Sequence, residues 1–201
     1  MKYALVVDLD RCTGCDTCVT ACKYENSLPL GVRNVRVPVI GPMGTFPDLE
    51  QYWLPMQCQQ CENPACIEVC PTSASYRDSD TGVVLIDYDL CIGCSSCLSA
   101  CPYNVRTLNP KTNVVNKCTL CYQYHDDPDW KPVCVADCCT GARLFGDLDD
   151  PESDAAKAVA AAGENAHYLD DPAGLKPSTV YILSPKTAAW QGSSEGTDRL
   201  H

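Results

Sequence analysis

Sixteen of the seventeen cysteines in this 201-residue chain stand in four blocks of four, and each block closes on the same C-x3-C step. Cys12, Cys15, Cys18 and Cys22 read C-x2-C-x2-C-x3-C, and Cys91, Cys94, Cys97 and Cys101 repeat that spacing. In Cys58, Cys61, Cys66 and Cys70 the middle gap is four residues, and in Cys118, Cys121, Cys134 and Cys138 it is twelve. Three thiolates two residues apart can wrap one iron–sulfur cubane, because the intervening backbone turns tightly and aims its N–H groups at the sulfides. The fourth cysteine sits one helical turn on, points the other way and ligates a neighbouring cluster. Four blocks imply four [4Fe–4S] clusters and a path for electrons.

Two blander readings fit less well. A disulfide scaffold suits a small secreted domain, whereas this chain is long and its Met1-Lys2-Tyr3 start runs straight into an apolar strand, so no signal peptide is expected. Structural zinc wants cysteine pairs, often mixed with histidine, and here there are triplets and only three histidines.

Composition bounds the partners. Phe46 and Phe145 are the only phenylalanines, beside three tryptophans and three methionines. Inorganic clusters would replace part of so thin an aromatic core, and the metal-free chain should fold poorly. A formal charge of -11 argues against nucleic acid and anionic membrane surfaces as partners. No apolar run is long enough for a membrane span. So many cysteines point to cluster insertion in a reducing cytoplasm, which leaves the final compartment open.

The elements that must hold the cysteines come in two kinds. The first and third blocks are near copies (CTGCDTCVTAC and CIGCSSCLSAC), each preceded by a β-like run, Tyr3–Asp8 and Val83–Asp87. The chain thus carries an internal duplication of strand, cluster loop, short helix and hairpin. Turn signals at 78–82 and 109–113 predict two hairpins, and Ala142-Arg-Leu-Phe predicts a last strand that pairs with the N-terminal one. Each helix is expected to start within its cysteine triplet and end soon after the fourth cysteine, with Pro71 and Pro102 following directly in blocks two and three. The Pro- and Gly-rich segment 28–56 and the segment between Cys121 and Cys134 read as surface inserts, more suited to contact than to catalysis. Beyond Gly146, Asp150 is expected to cap a helix that has Pro151 at its first position and ends at Gly163, and residues after Trp190 are expected to fray. No Ser/His/Asp set, P-loop or dinucleotide fingerprint appears, so no catalytic site of its own is expected.

With these motifs in hand, nearly the whole chain up to about Leu183 resembles the four-cluster electron-transfer subunit of dimethyl sulfoxide reductase family molybdenum or tungsten oxidoreductases. The resemblance rests on Cys58-x2-Cys61-x4-Cys66-x3-Cys70-Pro71, on Cys91-Ile-Gly-Cys94-x2-Cys97-x3-Cys101-Pro102-Tyr103, on Lys117-Cys118-Thr-x-Cys121 and on Cys138-x-Thr-Gly-Ala142. Gly146-Asp-Leu-Asp-Asp-Pro-x-Ser153, Lys176-Pro177 and Tyr181-x-Leu183 are similar too. Gly44-Thr-Phe-Pro47 ahead of Cys58-x2-Cys61-Glu-Asn-Pro-Ala-Cys66 looks like the small subunits of arsenate reductases and of pyrogallol–phloroglucinol transhydroxylase, and the acidic insert 125–132 is similar to that of the transhydroxylase type. The latter type has lost one cluster, whereas this chain keeps all sixteen ligands.

The resemblance implies an α+β fold of two nested ferredoxin-like modules with a C-terminal extension. The four-cluster region spans 1–146, with an inner module at about 57–102, an outer module of 1–27 plus 103–146, and the insert 28–56. The extension, 147–201, is expected to pack on the outside. The swapped ferredoxin rule assigns Cys12, Cys15, Cys18 and Cys138 to one outer cluster, and Cys22, Cys118, Cys121 and Cys134 to the other. It assigns Cys58, Cys61, Cys66 and Cys101 to one inner cluster, and Cys70, Cys91, Cys94 and Cys97 to the other. The implied function is relay of electrons to or from a large subunit with a bis-pterin molybdenum or tungsten centre, such as one that reduces or dehydroxylates a polyhydroxylated aromatic in anaerobic metabolism. A membrane anchor or a cytochrome or quinol donor would complete the complex, which would be co-exported to the outer face of the membrane or stay cytoplasmic. A free polyferredoxin, or the ferredoxin arm of a hydrogenase or formate complex, is the alternative; the extension and the 28–56 insert speak for a permanent subunit. The catalytic partner is expected beside the Cys12 cluster or beside an inner one, and the Cys12 cluster is favoured because neither insert should cover its loop.

Four further positions carry expectations. Cys139 stands where the family pattern has proline, and it is read as a small buried filler rather than a ligand. His125 is read as solvated. Trp53 and Trp130 suit a partner surface and packing over a cluster equally well. The acidic run 147–154 is read as a helix start with a solvated face.

Overall fold

A computed structural model describes residues 1–193. The chain folds as mixed α and β, with short elements strung between cysteine loops. Strand β1 (Tyr3–Asp8) is buried along its middle because both of its faces are covered. Leu5 and Val7 point into the main core, and Val6 points to the other side, under helix α5 (Asp154–Ala162) with Val180 and Ala155. β8 (Arg143–Asp147) pairs antiparallel with β1, as its apolar run predicts.

On the other edge of β1 lies β10 (Val180–Ile182), parallel to it, followed by β9 (Ala166–His167), so the sheet order is β8-β1-β10-β9. The segment after Gly146 therefore does not simply coat the outside. Val180 and Tyr181 are fully buried, and Tyr181 belongs to the main core. The parallel pairing joins segments with the whole cluster region and α5 between them, and a three-residue strand gives no periodicity from which to predict it. The cap of α5 also shifts: Ser153, not Asp150, accepts the Ala156 N–H through its hydroxyl, 3.1 Å away. Gly163 ends the helix as expected. The tail end expected to fray lies mostly outside the described residues.

The two predicted hairpins form, β4 (Ser75–Arg77) with β5 (Val84–Ile86) and β6 (Thr107–Leu108) with β7 (Val115–Asn116). A third hairpin occupies the insert, β2 (Val39–Thr45) with β3 (Asp48–Trp53). Gly41, Pro42 and Gly44 disguise the strand pattern there, and the pairing shifts register between Ile40 and Met43 to accommodate them.

Only helix α1 (Thr17–Glu25) runs past its block's fourth cysteine. Helices α2 (Ala65–Glu68), α3 (Ser96–Ser99) and α4 (Val133–Ala136) are single turns that stop before Cys70, Cys101 and Cys138. α1 packs against α4, and α2 against α3. Among the described residues no helix is long and apolar enough to cross a membrane.

Candidate cluster sites

The cysteine loops owe their shape to left-handed residues at fixed places. Gly14 and Asp16 have φ of 63° and 61°, and their counterparts in the near-copy block, Gly93 and Ser95, have 67° and 64°. Alternating left- and right-handed residues turn successive N–H groups inward, a concavity that receives anionic sulfur. Hydrogen bonds to the thiols follow: the Ser75 N–H lies 3.4 Å from Cys70 Sγ, and the Leu120 N–H 3.5 Å from Cys118 Sγ.

Four groups of thiols gather from these loops. Cys12, Cys15, Cys18 and Cys138 line one cavity, and Cys70, Cys91, Cys94 and Cys97 line another. Cys134 and Cys22 are electrostatic neighbours of both Cys118 and Cys121, and Cys58, Cys66 and Cys101 are neighbours of Cys61. In each group one thiol comes from a different block than the other three. Among the described residues no three Cys, His, Asp or Glu side chains converge as a single metal ion requires; the thiols stand around a space instead.

Burial governs their electrostatics. It pushes the Cys22 thiol up to about 12, helped by the neighbouring Cys134 and Cys121, and it pushes Cys18, Cys66 and Cys121 up to about 11. Thiolates so desolvated need a positive partner in place of the proton, which iron supplies, so the donor set fits a cluster better than it fits free thiols. The two end groups reach water. Cys15 and Cys94 are exposed, and the hydroxyls of Thr17 (3.3 Å) and Ser96 (3.5 Å) beside them hold both thiols below the usual range.

Between the groups lie three buried cations and three buried glutamines. Arg106 donates through Nη2 to Cys66 Sγ at 2.8 Å and through Nη1 to the Ser75 hydroxyl at 3.0 Å. Lys117 donates to the carbonyls of Val84 and, at 2.8 Å, of Cys118. Arg143 donates to Gln57 Oε1 at 2.8 Å, and Gln59 joins the Gln57 carbonyl to the Tyr181 hydroxyl. Gln60 spans from the Val84 N–H to the Cys118 carbonyl. Sequence reasoning passed over Arg106, Arg143 and the glutamines, and used Lys117 only as part of a motif. The available signal was a basic or amide residue beside a cysteine or inside an apolar strand.

Two other expectations change, those for Cys139 and for the uncovered first loop, and the tryptophans follow one of their two readings. Cys139 is exposed, not buried, with its Sγ 3.9 Å from Cys15 Sγ. Trp53, at the end of the insert hairpin, lies against Gly14 and packs with Val19, Cys22, Val35 and Val37, so the insert does cover the first cysteine loop. Trp130 packs against Tyr3 and Phe145, and its Nε1–H donates to the carbonyls of Leu120 and Cys121 at 3.0 and 3.1 Å, bracing that ligand loop. Both tryptophans are thus packed against cysteine loops. His125 is exposed as expected, stacked on Tyr122 with ring centroids 4.1 Å apart.

Comparison with known proteins points to the same kind of cofactor. Residues 4–71 and 49–148 each match a family model described as a 4Fe-4S dicluster domain. The chain is 43% identical to the B subunit of sulfite dehydrogenase from Allochromatium vinosum, over 92% of this chain and 85% of that one. The chain belongs to the iron–sulfur electron-transfer subunits of dimethyl sulfoxide reductase-type oxidoreductases. It is also 41% identical to the putative dimethyl sulfoxide reductase iron-sulfur B subunit of Halobacterium salinarum, over 90% of this chain and 79% of the relative. With the thiosulfate reductase electron transfer subunit PhsB of Salmonella typhi it shares 42% identity over 75% and 79%. As a member of this family the chain binds [4Fe–4S] clusters and transfers electrons.

Proposed function

We propose that the chain relays electrons one at a time through four [4Fe–4S] clusters, in the order set by the thiol groups, to or from a catalytic subunit with a bis-pterin molybdenum or tungsten centre. The Cys12/15/18/138 group comes first, then Cys22/118/121/134, then Cys58/61/66/101, then Cys70/91/94/97. One observation carries the reading: the two end groups each expose a cysteine, Cys15 and Cys94, while the two middle groups expose none. A wire needs accessible ends and an insulated middle. The ligand sets make two nested ferredoxin-like modules, 57–102 inside and 1–27 plus 103–146 outside, and the α1–α4 and α2–α3 contacts support that nesting.

The catalytic partner docks at the Cys15 end and the donor at the Cys94 end, where Ile92, Leu90 and Tyr88 are exposed. At the Cys15 end Thr13 and Cys15 reach the surface although Trp53 lies on the adjoining Gly14. The substrate is the partner's to choose. A polyhydroxylated aromatic is supported only by the likeness of two inserts, and export of the finished complex only by the habits of the family. The experiment is iron analysis with paired charge insertions in the assembled complex. Sixteen irons per chain, four for each cluster, are expected. Thr13→Arg should slow substrate-linked turnover without loss of iron, and Ile92→Arg should slow reduction by the donor. Twelve irons or fewer in the intact chain would overturn the relay.

A further inference from the structure

One buried cation stands at each junction between successive thiol groups. Arg106 touches Cys66 of the third group and, through Ser75, whose N–H lies 3.4 Å from Cys70 Sγ, reaches the fourth. Lys117, fully buried, has Cys118 of the second group and Cys58 and Cys66 of the third as its charge neighbours. Arg143, 3% exposed, lines the cavity of the first group and has Cys134 and Cys118 of the second beside it. No carboxylate ion-pairs with any of the three among the described residues. A charge taken this far from water persists only where another charge compensates it, and thiolate sulfur is the anion at hand. Arg143 also leaves donors unused: its Nε and Nη1 have no hydrogen-bond partner among the described residues, although the group is buried and edges a cavity made for sulfur.

We propose that Arg143 and Arg106 set the potentials of the relay, each raising both of the clusters it separates, with Arg143 donating its spare N–H groups to cluster sulfur. The proposal rests on the four-cluster assignment above. A cluster that gains an electron becomes more negative, and a fixed cation nearby stabilises that form, so its potential rises. Arginine is suited to the task because its charge does not depend on a proton equilibrium in the working range. A cation between two clusters lifts both and leaves the difference between them unchanged, whereas a cation over one cluster would favour the electron there. Lys117 holds the equivalent place at the middle junction.

The test is a redox titration followed by electron paramagnetic resonance on the purified complex carrying Arg143→Gln or Arg106→Gln. In Arg143→Gln two of the four potentials should fall and two stay; in Arg106→Gln a different pair should fall. Full iron with all four potentials unmoved, or with all four moved alike, overturns the proposal. If Arg143→Gln does not retain iron, Arg143→Lys decides. Full iron at near-wild-type potentials then supports a requirement for the charge, and loss of iron there too shows a packing role and overturns it. Failure of the relay reading itself is read separately, as a low iron count in the wild-type complex.

Discussion

The two near-copy cysteine loops invite the same substitution and should answer it differently. Gly14 and Gly93 both sit at left-handed φ, where any side chain costs about 1–2 kcal/mol. A Cβ at Gly14 would lie 2.2 Å from Cδ1 of Trp53, and a Cβ at Gly93 would lie 2.2 Å from the carbonyl oxygen of Asn113. Ordinary carbon contacts are about 3.5–4.0 Å, so something must move by more than an ångström at both sites. At Gly14 the indole can swing away, at the loss of part of its packing, roughly another 1–2 kcal/mol. Gly14→Ala should then cost about 3 kcal/mol, a fall of roughly 6–12 °C for a chain of this size. At Gly93 the obstacle is backbone in the turn of the β6–β7 hairpin, which cannot rotate away, so Gly93→Ala should cost more and lose iron. The assay is thermal bleaching of the visible cluster absorption, with iron content, for each variant and for Gly14→Ala combined with Trp53→Leu. Because the two residues touch, the double variant should lose less than the sum of the singles. Strict additivity, or a Gly93→Ala protein as stable as Gly14→Ala, would refute the packing argument.

Other outcomes follow from named contacts. Cys139→Ser should keep all iron and the visible spectrum, because the thiol is exposed and Cys138 occupies the cavity; loss of a cluster would make Cys139 a ligand. A chain ended after Gly174 loses β10, including the fully buried Val180 and Tyr181, each worth about 1.5–3 kcal/mol in burial alone. It should give no soluble holoprotein, and a stable holo fragment would restore the expectation that the extension only packs on the outside. Lys117→Met leaves the Val84 carbonyl without its side-chain donor and the Cys118 carbonyl with Gln60 alone. With charge-assisted bonds at about 1.5–3 kcal/mol each, offset by relief of a buried charge, the holoprotein should lose roughly 2–4 kcal/mol. Guanidinium-induced bleaching at an unchanged midpoint would count against that role.

Much of this protein was legible in the chain because its chemistry is written locally. Thiol spacing within a block depends on a few backbone angles, so C-x2-C-x2-C states its cluster loop before any tertiary contact is known. The β4–β5 and β6–β7 hairpins, with turn residues at 78–82 and 109–113, are local in the same sense. The pairing of β8 with β1 was also foreseen, since both are apolar runs long enough to announce themselves. What the sequence could not announce depends on residues far apart in the chain. β10 becomes a strand only because β1 offers a parallel edge, and the insert became a hairpin despite prolines that mask its period. Trp53 covers Gly14, thirty-nine positions away, and Cys139 is left in solvent by the path of its neighbours. The three junction cations are the clearest case. A lone Arg or Lys reads as surface charge in one dimension, and only folding, by removing water from around Arg106, Lys117 and Arg143 and placing thiols there instead, makes each of them part of the site.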